Sequence, residues 1–355
     1  MASEGASVED DARRWNDAAT AATLFAVDPA GLGGISLRCG PGAVRDAWLA
    51  RLQSLLGTAS LRRIPAHVSD GRLLGGLDLA ATLRTGRPVI ERGILAGADG
   101  GIILLSMAER LSAAAAARIT AVLDTGEVVL ERDGLASRSP ARLGVIALDE
   151  GVAADERPPA GLLDRLALHV DLDGLPVRIL GEPAADAAAQ VSAARQRLGQ
   201  VQAPKSVVTA LCETAAAFGI GSARAPWLAL RVARAAAALA GRTQVTEADA
   251  TLAAALVFAP RATRLPAPEE PQPPQAEPPP PGEDSDSPEP QAMGEPRQET
   301  PEDPTPPQEP PRGLEERAVA ATSSALPADL LAQLQGGLAV PSRTRSAAGR
   351  SAAQQ

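Results

Sequence analysis

Between Pro266 and Pro311 the chain holds 18 prolines in 46 residues, interleaved with 12 acidic residues and a single Arg. Proline removes backbone donors, and so polar a stretch has too little apolar surface to offset the entropy of ordering it. An extended, self-repelling, disordered acidic linker is the expectation. It partitions the chain. The fold must be built within residues 1–265, and residues 312–355 form a tail in which Leu326–Leu338 suits one short helix. A long spacer ending in so little implies that a further domain belongs beyond Gln355.

The same stretch accounts for the net charge of −9. It carries −11, residues 1–265 hold 28 acidic and 28 basic groups for a balance of 0, and the tail's 5 Arg against 3 acids give +2. An electrically neutral fold has no basic footprint for nucleic acid, so that class of partner is excluded. Lys205 is the only lysine, so any chemistry needing one has a single candidate. Cys39 and Cys212 lie far apart without CxxC spacing, which supports neither a zinc site nor a disulfide framework, and no metal ligands are proposed. His67 and His169 have no clustered acid or Cys partners and read as ordinary surface or packing residues. The polar start MASEGASVEDDARRW lacks an apolar signal core, and no apolar run approaches a membrane span, so a cytoplasmic setting is expected.

Residues 1–183 alternate short apolar runs with helical patterns, which predicts an α/β domain around a parallel sheet. Gly34–Leu37, Gly101–Leu105 and Leu143–Leu148 are nearly all apolar, as strands covered on both faces should be. Asp46–Leu56 and Ala108–Leu123 read as intervening helices. Val128–Arg138 reads as an inserted β-hairpin, because Asp133-Gly134 suits a tight turn. Residues 184–265 read as all helix: Ala184–Leu198, Lys205–Phe218, Pro226–Leu239 and Glu247–Phe258. Gly219, Gly221 and Gly241 fall where helices should stop, Thr246 is a suitable N-cap, and Pro226 sits in a first turn. With aromatics at only 2% and no Tyr, the core must be Ala, Leu, Val and Ile.

An α/β domain followed by a helical lid is the AAA+ layout, which makes its nucleotide motifs the ones to look for. A phosphate loop needs a Gly-rich backbone, a Lys for the β- and γ-phosphates and a Ser/Thr for magnesium. In Arg38–Trp48, Gly40 and Gly42 provide a turn into a helix. Leu37, however, stands where the first glycine belongs, Ala43 takes the lysine position and Val44 the hydroxyl position. A remodelled strand–turn–helix is the better reading. A Walker B strand should end in Asp-Glu, yet the run Gly100–Leu105 ends in Ser106-Met107, neither of which can bind magnesium well or act as a base. Glu109, two residues further on, reads as a solvated helix residue rather than a displaced base.

Several separated stretches, in order, resemble the AAA+ subunits of magnesium chelatase. They are Asp70–Leu105 (DGRLLGGLDLAATLRTGRPVIERGILAGADGGIILL), Gly126–Leu148 (GEVVLERDGLASRSPARLGVIAL), Leu162–Leu168 (LLDRLAL) and Arg224–Val245 (RAPWLALRVARAAAALAGRTQV). The resemblance covers roughly residues 20–262. The missing Lys and Asp-Glu, with the acidic Pro-rich linker, make it a resemblance to the D subunit rather than the active I subunit; in that family an integrin I-like domain follows the linker.

The resemblance implies a role without catalytic residues in this chain. The I subunit hydrolyses ATP in a ring, the D subunit assembles with it, and both act on the porphyrin-binding H subunit to insert Mg²⁺ into protoporphyrin IX. ATP and Mg²⁺ are thus expected of the complex, and no cofactor of this chain. Asp164 and Arg165 match the segment whose Arg serves as a trans-acting arginine finger, and Arg224 matches the sensor Arg of the lid, with Arg231 as an alternative. Apart from the resemblance, an Asp-Arg pair of this kind is more often a surface salt bridge, and lid arginines commonly cap or solvate helices. Two other readings stay open: an active AAA+ remodelling ATPase with an unorthodox site, and an interaction module whose acidic linker grips Arg-rich surfaces.

Overall fold

The computed structural model describes residues 2–132, 135–181 and 185–264. The expected linker, tail and helix Leu326–Leu338 lie outside these, as do Ala184 and the Asp133-Gly134 turn.

The first part of the chain runs α1 (Ala2–Val27), β1 (Gly34–Arg38), α2 (Ala43–Leu56), β2 (Leu61–Ile64), α3 (Asp70–Leu74), β3 (Gly75–Leu77), α4 (Leu79–Thr85), β4 (Ile90–Arg92), α5 (Ile94–Gly97) and β5 (Ile102–Leu105). It continues through α6 (Ala113–Thr125), β6 (Glu127–Arg132), β7 (Leu135–Pro140), β8 (Gly144–Asp149), α7 (Ala160–Leu163) and β9 (Leu168–Asp171). Four longer helices follow: α8 (Ala187–Leu198), α9 (Lys205–Ala217), α10 (Arg224–Leu239) and α11 (Glu247–Val257). Short 3-10 turns lie at Ala108–Arg110, Val177–Ile179 and Ala259–Arg261.

Five strands form a parallel sheet in the order β2-β5-β8-β1-β9. Successive residues of a strand face opposite sides, and here both sides are buried. Ile102 and Leu104 of β5 with Ile146 and Leu148 of β8 join the core containing α1, α2 and the four C-terminal helices. Ile103, Leu105, Val145 and Ala147 join the core beneath α6. The near-continuous apolar runs of the central strands follow from this double coverage. β6 pairs antiparallel with β7 from Glu127↔Pro140 to Arg132↔Leu135, as the expected hairpin.

Helix α1 went unread in the sequence because its buried stripe is mostly alanine. Ala18, Ala21, Ala22 and Ala26 are buried with Leu24 and Phe25, and small side chains let α2 approach closely enough for Trp48 Nε1 to donate to the Ala18 carbonyl at 2.9 Å. The expected helix Ala108–Leu123 is two elements. A 3-10 turn ends at Arg110, and α6 starts afresh after Ser112, whose hydroxyl accepts from the Ala115 N–H at 3.2 Å as an N-cap. A capping Ser in non-helical backbone interrupts the periodicity.

The last four helices lie within a few residues of their expected bounds. Gly219 and Gly241 take positive φ (68° and 78°) just past α9 and α10, and the Thr246 backbone N–H donates to Asp249 at 2.8 Å at the start of α11.

Candidate functional site

In an open parallel sheet the crevice for ligands lies beyond the C-terminal ends of the strands, where strand order reverses. That point here is β1, flanked by β8 and β9 and followed by Cys39–Gly42 and the N-terminus of α2. A Cβ at Gly40 or Gly42 would meet nothing within 4 Å, and Gly42 has extended backbone (φ 162°), so neither glycine is demanded by the fold itself.

The charges around this turn are paired within the chain. Arg38 contacts the buried Asp149 carboxylate at 3.1 Å, Arg157 contacts it at 3.4 Å, and Arg45 reaches Glu150 at 2.8 Å. Arg38 also donates to the carbonyls of Ala153 and Glu156 at 3.1 and 3.2 Å. Ala43 and Val44 add no cation and no hydroxyl. Asp149, at the end of β8, is buried and takes up both Arg38 and Arg157, which ties these two guanidiniums to the chain itself.

At the neighbouring strand end, Met107 is in left-handed backbone (φ 48°) and exposed, and Ser106 is half-buried. The left-handed turn swings the chain from β5 into the 3-10 turn. Glu109 corrects the expectation of a solvated helix residue. Its side chain is only 5% exposed and accepts from the Glu150 N–H at 3.0 Å, so it pins the loop after β8. Among the described residues no group of His, Cys, Asp and Glu is arranged to hold a metal ion.

Arg165 and Arg224 sit elsewhere, and together. Arg165 precedes β9 and stands beside Gly33, so it lies at the N-terminal edge of the sheet, about 20 Å along β1 from the Gly-rich turn at 3.3 Å per residue. There a cavity of about 740 Å³ is lined by Asp124, Asp164, Arg165, Ser222, Arg224 and Trp227, among others. Asp124, near the end of α6, accepts from Arg165 Nε at 2.9 Å and pairs with Arg224 Nη1 at 2.9 Å. Burial alone would raise the Asp124 carboxyl, but Arg165 and then Arg224 outweigh it and hold it below the ordinary carboxylate range. Asp164 takes Arg224 Nε at 3.3 Å and the Ser222 hydroxyl at 2.5 Å. Two arginines and two aspartates thus form one neutral cluster joining α6, the turn before β9 and the start of α10.

This placement takes Arg224 away from its own chain's Gly-rich turn. Arg231 is engaged differently, with Asp28 at 3.0 Å and over the Trp227 ring at 4.3 Å. Trp227 is half exposed, whereas Trp15 and Trp48 are buried. Gly33 supports the cluster from below: its φ is 68° and an added Cβ would stand 2.2 Å from the Arg165 carbonyl oxygen. His169 is half-buried against Leu163 and Arg261, and burial, then Arg261, push its pKa down to about 3; His67 is exposed. Sequence reading missed Asp124, Asp149 and Trp227. An Asp one residue before a helix's end carries no pattern of its own, and only packing reveals its partners.

Residues 208–281 match a family model described as an AAA lid domain. The magnesium-chelatase 60 kDa subunit of Cereibacter sphaeroides is 43% identical over 327 residues, covering 92% of this chain and 52% of that protein. The magnesium-chelatase 67 kDa subunit of Chlorobaculum parvum is 32% identical over 267 residues, covering 69% of this chain and 42% of that protein. The chain therefore spans about half the length, or less, of these relatives. A solved structure of a candidate ATPase from Cytophaga hutchinsonii shares the fold, with a TM-score of 0.50 and 15% identity over 74% of this chain and 92% of that one. No helix among the described residues is long and apolar enough to cross a membrane. The parallel sheet, the lid match and the relatives agree: the chain belongs to the AAA+ magnesium chelatase family, among its 60 and 67 kDa subunits, the D type.

Proposed function

We propose that this chain is the non-motor AAA+ platform of a magnesium chelatase. It joins a ring with the ATPase I subunit and couples ATP hydrolysis there to Mg²⁺ insertion into protoporphyrin IX on the H subunit, the step leading into chlorophylls and bacteriochlorophylls. Residues 1–183 form the AAA+-like domain, 184–265 its lid, and the acidic segment 266–311 the tether to the rest of the subunit. The setting is cytoplasmic.

One observation carries the reading. Arg165 and Arg224 converge on an open cavity at the sheet edge opposite the Gly-rich turn, while the arginines at that turn are paired with the chain's own carboxylates. Magnesium–nucleotide does not fit the turn: Ala43 and Val44 supply neither cation nor hydroxyl, and Ser106 and Met107 supply no carboxylate. A neighbour's nucleotide suits the cavity better, since the carboxylates that pair with both guanidiniums there are half-exposed and phosphate oxygens can displace them. A phosphate oxygen could replace Asp124 on either, and an Arg so placed contributes about 10³–10⁵ to the rate of phosphoryl transfer.

The test pairs two measurements. Titration calorimetry of the chain with MgATP is expected to show no binding at micromolar affinity. Adding the wild-type chain to the I subunit should support an ATPase rate, and with the H subunit and protoporphyrin IX a chelation rate, that Arg165→Ala lowers by at least about tenfold without unfolding the chain. Micromolar MgATP binding by the isolated chain would refute the stripped turn and favour the active-ATPase reading. An unchanged rate with Arg165→Ala would refute the trans-acting role.

A further inference from the structure

Arg261 lies in the 3-10 turn Ala259–Arg261 that closes the helical array, just before the acidic segment begins. Arg261 is half-buried, and burial pulls its pKa down to about 10, with Asp164 opposing the shift. Nη1 donates to the carbonyls of Val257 at 2.7 Å and Ala167 at 3.0 Å. Nη2 donates to the Leu166 carbonyl, and it lies 3.4 Å from the Leu163 carbonyl oxygen and 3.0 Å from His169 Nε2. His169 Nε2 also lies 3.1 Å from the Leu163 carbonyl oxygen, so the imidazole and the guanidinium gather on the same turn. The cation rests on carbonyls and a neutral imidazole, with no carboxylate among its direct partners in the described residues.

Burial disfavours the charged form, and the C-terminal dipole of α11 at Val257 offsets this in part. What the arrangement does secure is position. Leu163, Leu166 and Ala167 bracket the Asp164-Arg165 turn. The same turn is held from the other end of the helical array by Ser222 and Arg224, both on Asp164. The strand side holds it through the Ala167 N–H on the Leu32 carbonyl at 3.0 Å.

We infer that Arg261 is a positioning residue for Arg165: it clamps the turn carrying that side chain to the last turn of the helical array, so the pose of Arg165 follows the end of α11. The inference rests on the reading of Arg165 as acting on a neighbour's nucleotide. A tilt of α11 displaces Arg261 with it, because its Nη1 is bonded to the Val257 carbonyl. Its carbonyl partners then carry the movement to Arg165 without any change at the Gly-rich turn.

The experiment compares full-length wild type with Arg261→Met, which keeps the length and loses the donors, and with Arg261→Lys, which keeps the charge and some of the donors. Hydrogen exchange should accelerate about tenfold or more at the amides of Arg165, Leu166 and Ala167 in Arg261→Met, less in Arg261→Lys, with amides of α2 and β8 within about threefold of wild type. In mixtures with the ATPase partner, Arg261→Met should lower the rate about 3- to 10-fold. The Arg165→Ala/Arg261→Met double variant should be no slower than Arg165→Ala alone, because the two changes remove one function. Unchanged exchange at residues 165–167 would overturn the inference, as would equal acceleration at the control amides in both variants, or losses that multiply in the double variant. If Arg165→Ala leaves the partner's rate untouched, the reading of Arg165 fails instead, and the exchange pattern still decides whether Arg261 holds the turn.

Discussion

Replacing Asp124 by Asn tests the neutral cluster directly, since it removes one charge and changes almost no volume. The carboxylate receives Arg165 Nε at 2.9 and 3.0 Å on its two oxygens and Arg224 Nη1 at 2.9 Å, with the Asp124 side chain 30% exposed. At an effective dielectric near 20 each pair at about 4 Å is worth at most about 4 kcal/mol. Solvent screening, side-chain entropy and the unfavourable placement of an anion at the C-terminal end of α6 cut this severely. A net loss of about 1.5–2 kcal/mol is the working figure, which for a fold of this size lowers Tm by about 3–8 °C. The pH dependence has a definite sign. The folded-state pKa of Asp124 is depressed, so its stabilisation is present above the unfolded carboxyl value of about 4 and is lost as pH falls through the lower folded value. Calorimetric melts of wild type and Asp124→Asn should therefore differ by a constant gap between about pH 5 and 7 that closes at lower pH. Equal melting temperatures at pH 7, or a gap undiminished at pH 3, would refute the cluster as described.

Gly40→Ala and Gly42→Ala should each leave Tm within about 2 °C of wild type, because the new methyl meets open space; a larger loss would show that the turn is packed tightly. Gly33→Ala should behave oppositely, costing about 1–3 kcal/mol by thermal or urea unfolding, since it combines positive φ with a Cβ 2.2 Å from the Arg165 carbonyl oxygen. Asp249→Ala should cost about 2 kcal/mol, because it unpairs Arg242 and the Thr246 N–H at the start of α11. Burial opposes the low Asp249 pKa, while Arg242 and Thr246 impose it, so this loss too should fade only in acid.

Apolar runs marked β1, β5 and β8 because strands buried on both faces must be apolar at every position, and that property is written residue by residue. The four C-terminal helices were legible for the same reason, through their periodicity and their Gly, Pro and Thr boundaries. β2 (LRRI) and β9 (LHVD) were not. They flank the sheet and carry arginines or polar residues where only pairing with β5 and β1 makes them strands. The substitutions at Ala43, Val44, Ser106 and Met107 were plain in the sequence, since an absent cation or carboxylate is a matter of composition at a motif. That Arg165 and Arg224 share Asp124, that Glu109 is buried beneath the loop after β8, and that Arg261 reaches back to the turn before β9 were decided by the tertiary structure alone. Local patterns encode which face of an element avoids water. Which charges meet depends on how separate elements pack, and no short window of sequence contains that.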